Sequence, residues 1–205
     1  DGLPRFYGGL VGYFGYDTVR YVERRLRLSI PPDPLGTPDI VLMVSNELAV
    51  YDNVSSRLQL ISLVDPTGLS AYDQAIERLH ALAHKLESPI PPIPRVEVES
   101  PTEEKDFISE FGENNFMQAV ERIRDYTRAG DVMQVVLAQR MSVPFKSAPL
   151  KLYRALRSLN PSPYMYYMDL DDFHIVSSSP EILARVDNGT IVNRPLAGTR
   201  RRGHS

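Results

Sequence analysis

The sequence predicts an α+β fold in which helices flank a largely antiparallel β-sheet core. Three observations carry this prediction: runs rich in β-branched residues are joined by short turns, amphipathic helical patterns recur between them, and no strict β-α-β alternation is present. The chain has 205 residues, with 42% hydrophobic and 24% charged residues. That composition is ordinary for a globular protein, and the length allows one domain or slightly more.

Sheet dominates the first third of the predicted order of elements. Residues 8–17, GGLVGYFGYD, interleave glycines with aromatic residues, a pattern typical of a strand that packs closely under another backbone. Their spacing does not match a nucleotide-binding glycine loop. The β-rich runs 39–52 and 57–64 flank a short polar turn and predict a hairpin. Residues 70–87 repeat apolar side chains on one helical face, which predicts a helix covering the sheet.

The middle of the chain begins with a proline-rich stretch and then returns to regular elements. Residues 88–101 contain five prolines and are predicted to be a linker or a surface crossing, because proline lacks an amide donor. Residues 114–130 predict a helix that ends at Gly130, where a C-terminal cap belongs. Residues 131–145 are dense in β-branched residues and predict a strand, and residues 148–159 predict a short amphipathic helix.

The last third predicts two strands, at 163–170 and 173–178, followed by a helical turn over 178–183. In that turn a serine can cap, a proline suits the first helical position, and an acidic residue favours the positive end of the helix. A final hairpin is indicated by Asn188-Gly189, a strong turn signal.

Composition and charge exclude several classes of function. The formal net charge of -3 lacks the basic footprint of a nucleic-acid-binding protein, and the absence of cysteine excludes disulfides, thiolate zinc sites and cysteine nucleophiles. No apolar run is long enough to span a bilayer, and the first residues do not resemble a secretory leader, so we expect a cytoplasmic protein. His80 and His84 share a helical face but lack a third ligand, and we predict no metal site.

Two segments are candidates for ligand binding. In residues 160–168, NPSPYMYYM, the prolines withhold amides and leave carbonyls free for a ligand ammonium, while aromatic and thioether groups could hold a flat ring. Core packing is the commoner role for such a strand. In residues 194–205, RPLAGTRRRGHS, Gly198 permits close backbone approach and Thr199 can donate to a carboxylate beside three arginines. A solvated charge run is the alternative.

Five segments in order resemble the chorismate-utilising enzymes, most closely the anthranilate synthase component I branch. They are GGLVGYFGYD, RIRDYTRAGDVMQVVLAQR, LYRALRSLNPSPYMYYMDL, IVSSSPEIL and RPLAGTRRRG. The resemblance implies that Gly198 and Thr199 bind chorismate, and that Pro163, Tyr164 and Met165 border a pocket for L-tryptophan as feedback inhibitor. A Leu-Leu-Glu-Ser segment that completes this pocket in the family is absent here.

Two positions imply which reaction of the family is expected. A nucleophilic lysine of the aminodeoxychorismate synthases is matched here by Ala197, and a water-activating lysine of isochorismate and salicylate synthases is matched by Gln134. Because neither lysine is present, the resemblance implies ammonia as the nucleophile and Gln134 as a polar residue of the catalytic site. The implied reaction converts chorismate to anthranilate and pyruvate, the first step of tryptophan biosynthesis, with a glutamine amidotransferase subunit as the source of ammonia.

The resemblance also predicts what this chain lacks. Family members continue beyond GTRRRG into segments that carry magnesium ligands, so residues 1–205 are expected to be an incomplete portion of one domain, inactive alone, whose Mg2+ ligands lie outside it. An aminodeoxychorismate synthase component and a non-catalytic amino-acid-binding module remain as alternatives.

Overall fold

The computed structural model describes residues 2–92 and 102–196 together with Arg201 and Gly203. The chain divides into two compact units, Asp1–Pro91 and Pro92–Ser205. Most of the predicted linker, 88–101, lies outside the described residues, so its role as a linker stays a prediction.

Four strands form the sheet structure of the first unit, as two antiparallel pairs: β1 (Gly9–Phe14) with β2 (Ile40–Ser45), and β3 (Glu47–Asp52) with β4 (Arg57–Ser62). The predicted hairpin is confirmed, and so is most of the β-rich run 39–52. That run is interrupted at Asn46, where the chain changes partner from β1 to β4. The amide of Leu63 donates to the carbonyl of Asn46 at 2.8 Å, which extends the second pair to this point.

The predicted close approach of a glycine-bearing strand to another backbone is confirmed at Gly12. This residue pairs with Leu42 across β1 and β2. A Cβ placed on Gly12 would lie 2.8 Å from the carbonyl carbon of Val41 and 3.0 Å from the Cα of Leu42. Any side chain here would therefore collide with the backbone of the neighbouring strand.

Two helices complete the first unit: the short α1 (Val19–Val22) and the long α2 (Ala71–Glu87). The boundaries of α2 confirm the helix predicted at 70–87. It packs against β4, and among the described residues the side chains of Ile61 and Ala75 are the most buried, at 9% and 6% exposure. The core of this unit therefore lies between α2 and β4.

The second unit contains α3 (Glu113–Ala129), α4 (Pro149–Leu159) and three antiparallel pairs among its described residues: β5 (Ile108–Ser109) with β6 (Met141–Ser142), β7 (Tyr164–Asp169) with β8 (His174–Ser179), and β9 (Arg185–Asp187) with β10 (Thr190–Val192). Both predicted helices are confirmed, as are the strands predicted at 163–170 and 173–178. Among the described residues of both units, none of the helices combines the length and the hydrophobicity that a membrane span requires.

Glycine and asparagine at the ends of these elements act as the sequence predicts. Gly130 has φ +84° and its amide donates to the carbonyl of Thr127 at 3.2 Å, while Asp131 reaches back to Tyr126 at 3.0 Å. These two bonds form a Schellman cap. Asn188 and Gly189, with φ of 48° and 77°, make the tight turn between β9 and β10.

Two sequence predictions in this unit are wrong. The strand predicted over 131–145 is reduced to Met141–Ser142, and residues 132–140 have no regular strand or helix beyond a bend. The helical turn predicted over 178–183 is also absent. Its first residues instead end β8, and the chain continues as an irregular turn. Local propensity alone therefore does not determine the structure of either segment.

Candidate functional site

The candidate effector segment lies at the open end of the β7–β8 hairpin. Tyr164 is paired with Ser179, and Met165 is paired with Ser178. Pro163 precedes the first paired residue, where a missing amide costs the ladder nothing. Pro163 and Tyr164 are exposed and Met165 is partly buried. The structure therefore brings these three predicted residues together on one strand end.

A hydrogen bond fixes the chain where it leaves α4 and enters this segment. The amide of Asn160 donates to the carbonyl of Leu156 at 2.9 Å and ends the helix. The carbonyl of Asn160 in turn accepts from the Ser178 hydroxyl at 2.9 Å. The turn Asn160–Pro163 is thus tied to β8 at the residue opposite Met165.

Aromatic contacts of Tyr167 also hold the β7–β8 hairpin in place. The ring of Tyr167 lies 6.2 Å from that of Tyr153 on α4 and 5.6 Å from the ring of His174 on β8. His174 also lies 3.3 Å from the carboxylate of Asp169, its partner across the hairpin. Ring pairs at these distances are favourable. They join α4 to the hairpin that carries the exposed residues at its open end.

Beyond β8 the chain turns sharply at Ser179. The Ser179 hydroxyl donates to the carbonyl of Glu181 at 3.1 Å and accepts from its amide at 3.4 Å. This local bonding satisfies backbone groups that a helical turn would otherwise use, which explains why the predicted helix does not form.

Two side-chain contacts then join this turn to the segment that precedes the predicted substrate loop. A carboxylate oxygen of Glu181 accepts from the amide of Leu196 at 3.0 Å. The side-chain amide of Asn193 donates to the carbonyl of Leu183 at 2.9 Å. Residues 193–196 are therefore held against residues 181–183, immediately before Ala197 and Gly198.

Glu181 and Asn193 are the residues that sequence reasoning missed. Glu181 was predicted to favour a helix N-terminus, and Asn193 had no predicted role. The signal for Glu181 is its position two residues after a strand that ends in three serines, where an acidic side chain can reach a neighbouring segment. Its partner Leu196 is distant in sequence, so no local pattern could have identified the contact.

Three predicted site residues remain: Gly198, Thr199 and Gln134. Gly198 and Thr199 lie outside the described residues. Gln134 is exposed and lies in the irregular segment 132–140.

Two further features of the described residues bear on the site: the grouping of potential metal ligands and a groove along α3. Within 2–92 and 102–196, no three His, Cys, Asp or Glu side chains are grouped to hold a metal ion. An open groove of about 720 Å³ runs along α3, lined by Phe116, Met117, Val120 and neighbouring charged residues. Two of those charges, Glu121 and Asp125, are already paired with arginines on the same helix, so the groove shows no free acid–base pair.

Comparisons with known proteins point to one family. A family model described as chorismate binding enzyme matches residues 1–205. The chain is 53% identical over 203 residues to anthranilate synthase component 1 of Pseudomonas putida, and 50% identical over 204 residues to that of Neisseria meningitidis serogroup B. Each match covers 98% of this chain and 41% of the relative.

A solved structure gives the same likeness in three dimensions. The crystal structure of anthranilate synthase component I from Streptococcus pneumoniae TIGR4 superposes with a TM-score of 0.77 at 33% identity. The match covers 93% of this chain and 42% of that one. The chain therefore spans about two fifths of the length of the relatives that it resembles.

Proposed function

Since the chain belongs to the chorismate binding enzyme family, we propose that the protein carrying it converts chorismate to anthranilate and pyruvate with ammonia as the nitrogen donor. The observation that carries the proposal is 53% identity, over 98% of this chain, to an anthranilate synthase component 1. Because that match covers 41% of the relative, the reaction is proposed for the protein as a whole and not for residues 1–205 alone.

In this proposal Gly198 and Thr199 bind a carboxylate of chorismate. A glycine lets the backbone approach the anion, and the threonine supplies a hydroxyl and an amide as donors. The tethered segment 193–196 supports this assignment, because a loop that binds an anion through backbone donors must be fixed before the ligand arrives.

Ammonia is the proposed nucleophile because the two lysines that imply other attacking groups are absent. Ala197 has no amine to attack the ring, and Gln134 has no basic group to activate water. Ammonia adds to the ring, the ring hydroxyl leaves as water, and the enolpyruvyl side chain is eliminated as pyruvate. Gln134 is assigned to the polar lining of the catalytic site on the resemblance alone.

The proposed effector site lies at Pro163, Tyr164 and Met165, and the ligand is L-tryptophan. The exposed ring of Tyr164 can stack on an indole, and carbonyls freed by the adjacent prolines can accept from an ammonium group. The support comes from geometry: this strand end is exposed, yet it is fixed by Ser178, Ser179 and the ring of Tyr167.

Magnesium is the cofactor that the family implies, but the described residues do not fit it. They bring no group of three or more candidate ligands together, and a hard cation in a protein is held by several oxygen ligands. No described residue of this chain is therefore assigned to magnesium. A glutamine amidotransferase subunit is the proposed source of ammonia, and the cytoplasm is the proposed location.

Product analysis tests the proposed reaction. The protein that carries this chain is incubated with chorismate, magnesium and an ammonium salt, and the products are separated by chromatography. Anthranilate and pyruvate should form in equal amounts, and neither should form without ammonium. Aminodeoxychorismate, isochorismate or salicylate as the main product would refute the assignment made from Ala197 and Gln134.

A further inference from the structure

The segment 193–196 is held by two contacts that lie on either side of a proline. Asn193 donates through its side chain to the carbonyl of Leu183 at 2.9 Å, and the amide of Leu196 donates to Glu181 at 3.0 Å. Between them lies Pro195, whose ring fixes φ and which has no amide to donate. The segment is therefore anchored at both ends and stiffened in the middle.

These anchors lie directly before the predicted substrate loop in the sequence. Strand β10 ends at Val192, directly before Asn193, so the ladder with β9 gives no further hold on the chain. Arg194 and Pro195 have no ladder partner in this pair. The side chain of Asn193 is thus the first contact that directs the chain after the strand ends.

We propose that Asn193 is a positioning residue for the substrate loop. Its amide holds residues 193–196 against residues 181–183, and in this way sets the place of Gly198 and Thr199. Asn193 is exposed, and its side-chain amide donates to the Leu183 carbonyl. In this proposal it therefore acts by holding the backbone and not by contacting chorismate. The inference rests on the proposed function, because it takes Gly198 and Thr199 as the carboxylate donors.

The substitution Asn193→Asp separates this role from general stability. Aspartate has nearly the same shape, but it replaces the amide donor with a carboxylate that would face the carbonyl oxygen of Leu183. We expect the Michaelis constant for chorismate to rise about five- to tenfold, the ordinary worth of one hydrogen bond, while kcat changes by less than about twofold. Asn193→Gln keeps a donor on a longer side chain and should restore most of the affinity.

The matched control is Asn188→Asp in the turn of the same hairpin. Asn188 has φ +48°, a conformation that aspartate also tolerates, so the same chemical change is made without removing the contact to Leu183. This variant should keep the wild-type Michaelis constant. If Asn193→Asp also keeps it, or if both variants lose affinity equally, Asn193 does not position the loop.

A second measurement does not depend on the reaction. Amide hydrogen exchange of Leu196, whose N–H donates to Glu181, should be several-fold faster in Asn193→Asp than in Asn188→Asp, since the hold on residues 193–196 is weakened. Unchanged exchange would overturn the inference even if the enzyme makes anthranilate. Faster exchange in a protein that makes no anthranilate would retain the anchoring role of Asn193 and refute the proposed function instead.

Discussion

At Gly12 the backbone of β1 lies close against that of β2, and the substitution Gly12→Ala tests this close approach. The added methyl would lie 2.8 Å from the carbonyl carbon of Val41 and 3.0 Å from the Cα of Leu42. Ordinary carbon contacts are about 3.5–4.0 Å. Because the obstructing atoms belong to the paired backbone and not to a flexible side chain, the strands β1 and β2 must move apart.

The expected cost follows from two opposing effects. Overpacking a tight site typically costs about 1–3 kcal/mol, and the rigid backbone at Val41 places Gly12 at the upper end of that range. Alanine regains about 0.5–1 kcal/mol because it loses less chain entropy than glycine in a strand. The net loss should be about 2 kcal/mol, which for a domain of this size lowers the unfolding temperature by about 4–8 °C.

Gly15→Ala is the matched control at the end of the same pair of strands. Its added methyl would lie 3.2 Å from the carbonyl oxygen of Asp39, a contact that a small shift relieves, and its backbone is extended, with φ -63° and ψ 159°. Urea and thermal unfolding should place Gly15→Ala within about 0.5 kcal/mol of wild type, as for most substitutions that leave packing intact. If Gly12→Ala is as stable as Gly15→Ala, the close packing of β1 on β2 is not a constraint on this sequence.

Four further predictions concern the site and the turns. Thr199→Val should raise the Michaelis constant for chorismate at least about tenfold, because a hydrogen bond to a charged group is lost; an unchanged constant would remove Thr199 from the site. Glu181→Ala, measured in the same steady-state assay, should also raise that constant, because Leu196 loses its acceptor, and wild-type kinetics would show that this tether is dispensable. Tyr164→Ala should weaken inhibition by tryptophan in a titration of initial rates without changing the Michaelis constant for chorismate; equal inhibition of both proteins would exclude Tyr164 from the effector site. The Ser55 hydroxyl and the amides of the same turn lower the pKa of Asp52 from its ordinary value. The ionised carboxylate therefore stabilises the folded state above that ordinary value, and this contribution is lost as the pH falls through the lower folded pKa. Melting curves of Asp52→Asn and wild type should differ at neutral pH and converge in acid, and a constant difference would contradict the assignment.

The elements that the sequence predicts correctly are those with a short-range cause. Gly130 ends α3 because only a residue that tolerates positive φ can make the Schellman bonds, and Asn188-Gly189 turns the last hairpin for the same reason. Helix α2 follows from the period of its apolar residues. Each of these signals is contained within a few residues, so a single sequence is enough to read it.

The candidate site depends on pairings that a local pattern cannot contain. Glu181 meets Leu196, Asn193 meets Leu183, and Ser178 meets Asn160. Polar side chains in turns have many possible partners, and which one is taken depends on how the strands align. The sequence therefore predicts two candidate segments, but it could not predict the bonds that fix the described residues near them.

The segment 131–145 shows a second limit of local sequence patterns: a predicted strand that is mostly not formed. Its β-branched residues fit a pleated and half-buried surface, but a strand also requires a partner. In the described structure that partner is β5, which pairs with Met141–Ser142, and one more backbone bond runs from the Glu110 amide to the Arg140 carbonyl at 3.3 Å. Residues 132–140 contain no strand or helix, and Gln134 lies among them. The two proposed site assignments therefore have different support: Gly198 follows, in sequence, a segment anchored by Asn193 and Glu181, whereas the role of Gln134 depends on the family resemblance alone.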